Sequence, residues 1–227
     1  MSADLYLALD TSGPVGSVAI GRGAEVLERC VLEHKAEHAA RLVPAVDQVL
    51  SRSGAAPKEL AGIVVGEGPG SFTGVRVAAA TAKGLARALS VPLWAVSSLA
   101  GAALVAGSGT VRYVLFDARS DRVYGACYGV GSASIRTFVE PHAGNLRDVL
   151  AGDVPAGAEF FGDAAERHRA AIEGAGYEVG VTDPRASVAD GLLTYLGLAA
   201  EQAPVEDAAA WEPRYVRPSS AEPVWTK

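Results

Sequence analysis

Residues Gly66 to Leu89 read G-E-G-P-G-S-F-T-G-V-R-V-A-A-A-T-A-K-G-L-A-R-A-L, directly after a short apolar run, Ala61 to Val65, with the pattern of a buried strand. Gly66, Gly68, Pro69 and Gly70 confine the chain to a tight turn, because proline fixes φ and glycine tolerates positive φ. Ser71 or Thr73 is then placed to cap a helix. On that helix Val75, Ala78, Ala82, Leu85, Ala86 and Leu89 form an apolar stripe, and Gly74, Val77, Thr81, Gly84 and Ala88 form a second face of small residues. Only Arg76, Lys83 and Arg87 remain on the polar edge. A helix with so narrow a polar edge must be covered on more than one side, and small residues let another helix approach closely. A glycine turn can also cradle phosphate, but both the G-x-G-x-x-G spacing and a Walker Lys-Ser/Thr pair are missing, and Lys83 lies far down the helix.

Working outward, Leu5 to Asp10 reads as a buried strand ending in a carboxylate, followed by a turn at Thr11 to Pro14 and strands at Gly16–Gly21 and Glu25–Leu32. From about Glu37 to Ser53, Leu42, Val46, Val49 and Leu50 fall at helical spacing, with Gly54 as the stop. Pro44 predicts a bend there, unless the helix starts only just before it. After the central helix come a strand at Pro92–Val96 and a small-residue helix, capped by Ser97 or Ser98, to about Ala106. Gly107-Ser-Gly-Thr110 is the best boundary in the chain. Beyond it the order begins again: a strand ending in Asp117, strands at 122–129 and 134–140, a short helix at 146–150 and a strand at 159–161. A helix at 163–174, a strand at 177–181 and a final amphipathic helix at 187–202 complete it.

Two lobes are therefore expected, 1–106 and 107–227, each a βββαβα unit of the α/β class with mixed sheets, flanking helices and an Asp closing its first strand. This is the plan of the actin-like superfamily, in which the two Asp-bearing turns flank a nucleotide. On that plan Asp10, Thr11, Ser12 and Asp117 are the candidate nucleotide-binding residues. The turn T-S-G-P-V-G-S carries no lysine, however, and Asp10 capping its own turn accounts for the carboxylate equally well.

With 20 Lys and Arg against 26 Asp and Glu in 227 residues, the net charge of −6 argues against a nucleic-acid surface acting alone. No apolar run is long enough to span a membrane and Met-Ser-Ala-Asp is not a signal peptide, so a soluble cytoplasmic protein is expected. Cys30 and Cys127 lie in strand-like runs and read as reduced, buried thiols. His34 and His38 stand four apart, but H-K-A-E-H lacks the glutamate placement of H-E-x-x-H and no third ligand cluster accompanies it. No metal site is predicted; His142 and His168 read as surface residues.

The runs L-A-L-D-T-S, G-S-V-A-I, E-H-A-A-R-L-V-P, G-P-G-S-F-T-G-V-R-V-A-A-A-T-A-K-G-L-A and V-P-L-W-A-V-S-S-L closely resemble the TsaB (YeaZ) family. D-A-R-S-D-R-V-Y (Asp117 to Tyr124) and W-E-P-R-Y-V-R (Trp211 to Arg217) are similar to it as well. These are accessory subunits of bacterial threonylcarbamoyladenosine synthesis on transfer RNA. The resemblance implies an actin-like fold and a partner, TsaD, the paralogue that modifies adenosine 37 of ANN-decoding transfer RNAs. It also implies a third protein, TsaE, an ATPase, and transfer RNA met only through the complex. The family's old glycoprotease label is not an activity.

TsaD holds its metal partly through the histidines of V-N-H-L-E-G-H. The matching stretch here is Val96 to Ala102, V-S-S-L-A-G-A, with Ser98 and Ala102 in place of the two histidines and Ala100 in place of the glutamate. A serine hydroxyl and a methyl group are poor substitutes for imidazole. A non-catalytic subunit without a cofactor is therefore expected. Its helices from His38 and from Phe72 would pair with the equivalent helices of TsaD as a four-helix contact. His38, Leu42, Val43, Val46, Thr73, Arg76, Val77, Thr81, Lys83, Gly84, Arg87 and Ala88 are the candidate interface residues; periodicity does not decide which of them face the sheet. The same patch predicts a symmetric homodimer when the chain is alone. The rival expectation is an actin-like small-molecule kinase or ATPase; a metallopeptidase would require bound zinc.

Overall fold

The structure is a computed structural model, and it describes residues 4–23, 25–106, 109–119, 121–182, 187–199 and 202–216. The first half runs β1 (Leu5–Asp10), β2 (Gly16–Arg22), β3 (Glu25–Leu32), α1 (His38–Ser53), β4 (Leu60–Gly66), α2 (Phe72–Leu89), β5 (Leu93–Val96) and α3 (Ser98–Val105). The second runs β6 (Val111–Asp117), β7 (Arg122–Val130), β8 (Ile135–Asn145), α4 (Leu146–Ala151), β9 (Ala158–Phe161), α5 (Asp163–Arg167), α6 (Arg169–Gly174), β10 (Glu178–Val179) and α7 (Val188–Leu198). The sheets are ordered β3-β2-β1-β4-β5 and β10-β9-β6-β7-β8, so the second repeats the first strand for strand. In each, the first three strands form an antiparallel meander, and the last two add in parallel on the other side of the first strand. The expected α/β duplication, two mixed five-stranded sheets with flanking helices, is what the chain forms.

Burial follows from the pairing. β1 and β4 lie inside the sheet and are largely apolar, Leu7, Leu9, Ile63 and Val65 facing α1 and α2 while Ala8 and Val64 face α7. α1 presents Leu42, Ala45, Val46, Val49 and Leu50 to that core, and α2 presents Ala78, Ala82 and Ala86. On the second sheet, Leu115, Cys127 and Phe160 pack with α4, α5 and α6.

The expected division at 106/107 describes the sheets but not the helices. α3, from the first half, packs Leu99, Ala100 and Ala103 on Val114, Phe116, Ala126 and Tyr128 of the second sheet. α7, from the second half, packs Ala189, Leu192 and Leu193 on the first, and Ser17 Oγ accepts from Ala189 N at 3.1 Å. Each half thus lends its last helix to the other. The two helices cross at Gly101 and Gly191, where a Cβ on Gly191 would overlap the Gly101 carbonyl. Of the expected boundary, Gly107 and Ser108 lie outside the described residues.

Other boundaries shift for local reasons. α1 continues through Pro44, which sits on its exposed side with Ala40, whose orphaned carbonyl is open to water. The helix expected over 163–174 is broken at His168 (φ −109°, ψ 21°). α7 ends at Leu198 rather than Gln202, and the Gln202 carbonyl accepts from Trp94 Nε1 at 3.1 Å. Two glycine substitutions report the packing: Gly191→Ala should lower stability by about 2 kcal/mol through the α3 clash. Gly84→Ala, with open space around its Cβ, should raise it by up to about 1 kcal/mol. Urea unfolding of the two variants checks both signs.

Candidate functional site

The strand–turn–helix from Gly66 is organised by Asp10. The carboxylate is fully buried; Oδ1 accepts from Ser12 N at 2.9 Å and Ser12 Oγ at 2.8 Å, and Oδ2 accepts from Ser98 Oγ at 2.5 Å. Ser98 Oγ in turn accepts from Gly68 N at 3.1 Å, and Ser98 N donates to Gly68 O at 2.8 Å. Next along, Thr11 Oγ1 donates to Gly74 O at 2.6 Å, and Ser71 N donates to Ser12 O at 2.7 Å. The glycines are there to permit this approach. A Cβ on Gly66 would overlap the Asp10 carboxylate and one on Gly74 would overlap the Thr11 carbonyl. Ser71, rather than Thr73, caps α2 by accepting from Gly74 N.

Asp10, Thr11 and Ser12, the expected nucleotide-facing residues, are therefore sealed under the loop, with their side-chain groups spent on the protein itself. Burial pushes the Asp10 carboxyl above its ordinary range, and the hydrogen bonds from Ser98 and Ser12 pull it back. Asp117 is elsewhere engaged: Oδ1 accepts from Arg119 N at 2.9 Å and Oδ2 pairs with Arg167 at 2.8 Å. No hydrogen bond or ion pair links Asp10 to Asp117 among the described residues. Ser98, at the place of a metal-binding histidine in the TsaD motif, is the hydroxyl that closes the Asp10 network.

His38 and His34 do not share a helix face. α1 begins at His38, while His34 is exposed ahead of a short 3-10 turn. His38 is buried, and its Nε2 lies 3.2 Å from the Leu32 carbonyl, which can only accept, so the proton sits on Nε2. Burial lowers its pKa, with the Leu32 hydrogen bond opposing. Among the described residues no group of three or more His, Cys, Asp or Glu side chains converges to hold a metal.

The expected interface residues divide. Leu42 and Val46 face the core and His38 is buried beneath the start of α1, so these three form no part of the outer surface; their helical spacing is that of the core stripe. Val43, one step round α1, is 57 % exposed. On α2, Thr73, Arg76, Gly84, Arg87 and Ala88 are exposed, and Val77, Thr81 and Lys83 are half-buried. Thr73, Val77, Gly84 and Ala88, joined by exposed Ala80, follow one another at i, i+3 and i+4 steps, giving a smooth strip beside Val43 and Ala39 of α1. Arg76 and Lys83 are not free rim charges: Arg76 Nε donates to Tyr215 Oη at 3.0 Å, and Lys83 Nζ donates to the carbonyls of Ala209 and Trp211, both at 2.8 Å. Sequence periodicity missed this segment; the Trp211–Arg217 motif was its only trace, and Arg217 lies outside the described residues.

The comparisons with known proteins point in one direction. A family model described as "TsaD: tRNA N6-adenosine threonylcarbamoyltransferase" matches residues 26–208. A Bacillus subtilis protein named tRNA threonylcarbamoyladenosine biosynthesis protein TsaB is 33% identical over 96% of this chain and 96% of its own. An Escherichia coli protein of the same name is 37% identical over 54% of each. A solved structure of YeaZ from Pseudomonas aeruginosa superimposes with a TM-score of 0.77 at 30% identity, covering 93% of this chain and 99% of that one. Component A of the Acidaminococcus fermentans (R)-2-hydroxyglutaryl-CoA dehydratase shares the fold, with a TM-score of 0.53 at 11% identity.

Two measurements follow from the geometry. His38 has a folded pKa below its unfolded one, so between those values the unfolded chain binds the extra proton and stability falls as pH drops below about 6.5. His38→Gln should remove this contribution, so that in denaturant titrations from pH 7 to 5 the variant loses less stability than the wild type. Magnesium–ATP should leave the melting temperature unchanged, whereas a nucleotide held at a hundredfold over its Kd would add ~2.7 kcal/mol.

Proposed function

From the premise that the chain belongs to the TsaB (YeaZ) family, we propose that it is a non-catalytic subunit that activates TsaD for threonylcarbamoylation of adenosine 37 in ANN-decoding transfer RNAs. The observation that carries the reading is the outer face of α1 and α2. There a strip of small residues, Thr73, Ala80, Gly84 and Ala88, stands exposed beside an apolar Val43. Small side chains let a partner helix come within the closer end of the ~8–10 Å packing range, and an exposed strip of this kind gains most from being covered. A paralogue built on the same plan offers two helices at the equivalent place, and the four together bury both strips. Alone, the chain covers the strip with a second copy of itself, so homodimer and TsaD complex exclude each other.

The sealed Asp10 supports the non-catalytic half of the proposal. Its acceptors hold the loop before α2 in place, and the position of a metal-ligating histidine is a serine facing inward. Chemistry is assigned to TsaD, ATP hydrolysis to TsaE, and transfer RNA meets this chain only within the complex.

Gly84→Leu tests the contact. Open space surrounds the Gly84 Cβ, so the variant should fold with a near-normal melting temperature. It should nevertheless weaken capture by the cognate TsaD at least ~100-fold, because a leucine holds the helices apart. Transfer-RNA modification reconstituted from TsaD, TsaE and this chain should fall in parallel and be absent when the chain is omitted. Undiminished modification without the chain, or wild-type binding by Gly84→Leu, would reject the reading.

A further inference from the structure

The face of α2 opposite α1 is occupied by the chain's own C-terminal segment. Val205 N donates to Leu93 O of the edge strand β5 at 2.7 Å, and Val205, Ala208 and Trp211 pack on the first core. Asp207 Oδ1 accepts from Ala209 N and Ala210 N, turning the chain so that the carbonyls of Ala209 and Trp211 meet Lys83 Nζ. The segment then runs back toward the start of α2. Arg214 lies near Glu67, whose carboxyl burial pushes up and Arg214 pulls down. Tyr215 packs on Phe72 with ring centroids 5.4 Å apart, and Arg76 lies over Phe72, 3.9 Å from its centroid, while bonding Tyr215 Oη. The strap is thus fixed at the first turn of α2 and again at Lys83 farther along it, by side chains whose helical positions border the exposed small-residue strip.

We propose that Lys83 and Arg76 are positioning residues: they clamp residues 205–216 as a strap that holds α2, and through it the docking strip, in the binding geometry. This rests on the docking function assigned above. Lysine is suited to the distal clamp because its ammonium can give two hydrogen bonds at once to carbonyls that would otherwise face solvent on an irregular segment. Arginine suits the other end because its planar group lies on one ring while donating to the other residue's hydroxyl. Neither requires contact with the partner.

The test compares Lys83→Met, which keeps the stem and removes the donors, with Lys83→Arg and Gly84→Leu in the full chain. Amide hydrogen exchange of residues 205–216 and affinity for the cognate TsaD are both measured. Lys83→Met should speed exchange across the strap and weaken TsaD about tenfold, with Lys83→Arg recovering most of both. Gly84→Leu should weaken TsaD while leaving strap exchange at the wild-type rate. Faster strap exchange with unchanged affinity in Lys83→Met overturns the positioning role but leaves the docking strip standing. Unchanged exchange overturns the clamp itself. If Gly84→Leu binds normally, the docking reading fails and the strap proposal falls with it.

Discussion

A carboxylate without access to water controls this molecule. Asp10 ends the central strand of the first sheet, and every neighbour that could have let solvent or ligand reach it has been turned inward: the Ser12 amide and hydroxyl on one oxygen, Ser98 on the other, Gly66 pressed against its plane. A buried, unpaired carboxylate costs several kcal/mol, so the loop that supplies its donors is held in place by that need. Because the loop runs directly into α2, the position of the helix is set from the inside by the strand beneath it. The side chains of this turn hold a helix.

The outer face inherits that rigidity. α1 is tied to the same turn through His38, whose ring lies against Gly16 and Thr11 and holds the Leu32 carbonyl. α2 is tied from below by Asp10 and from the side by the C-terminal strap. Two helices fixed on three sides leave one side to the solvent, and there the side chains are small. A surface arranged in advance loses little conformational entropy on binding, which is the advantage of a rigid docking element over a flexible one.

Much of this was legible in the residues. The strands and the glycine stop after α1 follow from local chemistry, the cap of α2 was narrowed to Ser71 or Thr73, and the duplicated order predicted two similar sheets correctly. Three features were not legible, each because it is made by residues distant in sequence. The exchange of α3 and α7 between the sheets rests on Gly101 meeting Gly191. The strap from 205 to 216 has no periodicity, and its hydrogen bonds join Lys83 and Arg76 to residues more than 120 positions away. The sealing of Asp10 depends on Ser98, 88 residues on. Periodicity also named the stripe on α1 without naming its side: Leu42 and Val46 belong to the core, and the surface belongs to Val43.

The central claim is that the partner sits on the α1–α2 face and nowhere near the second sheet. A photo-crosslinking amino acid placed at Val43, and separately at exposed Phe138 on the edge strand of the second sheet, reads this directly in the complex with TsaD. A covalent adduct with TsaD is expected from position 43 and none from position 138. An adduct from 138 with none from 43 would contradict that claim.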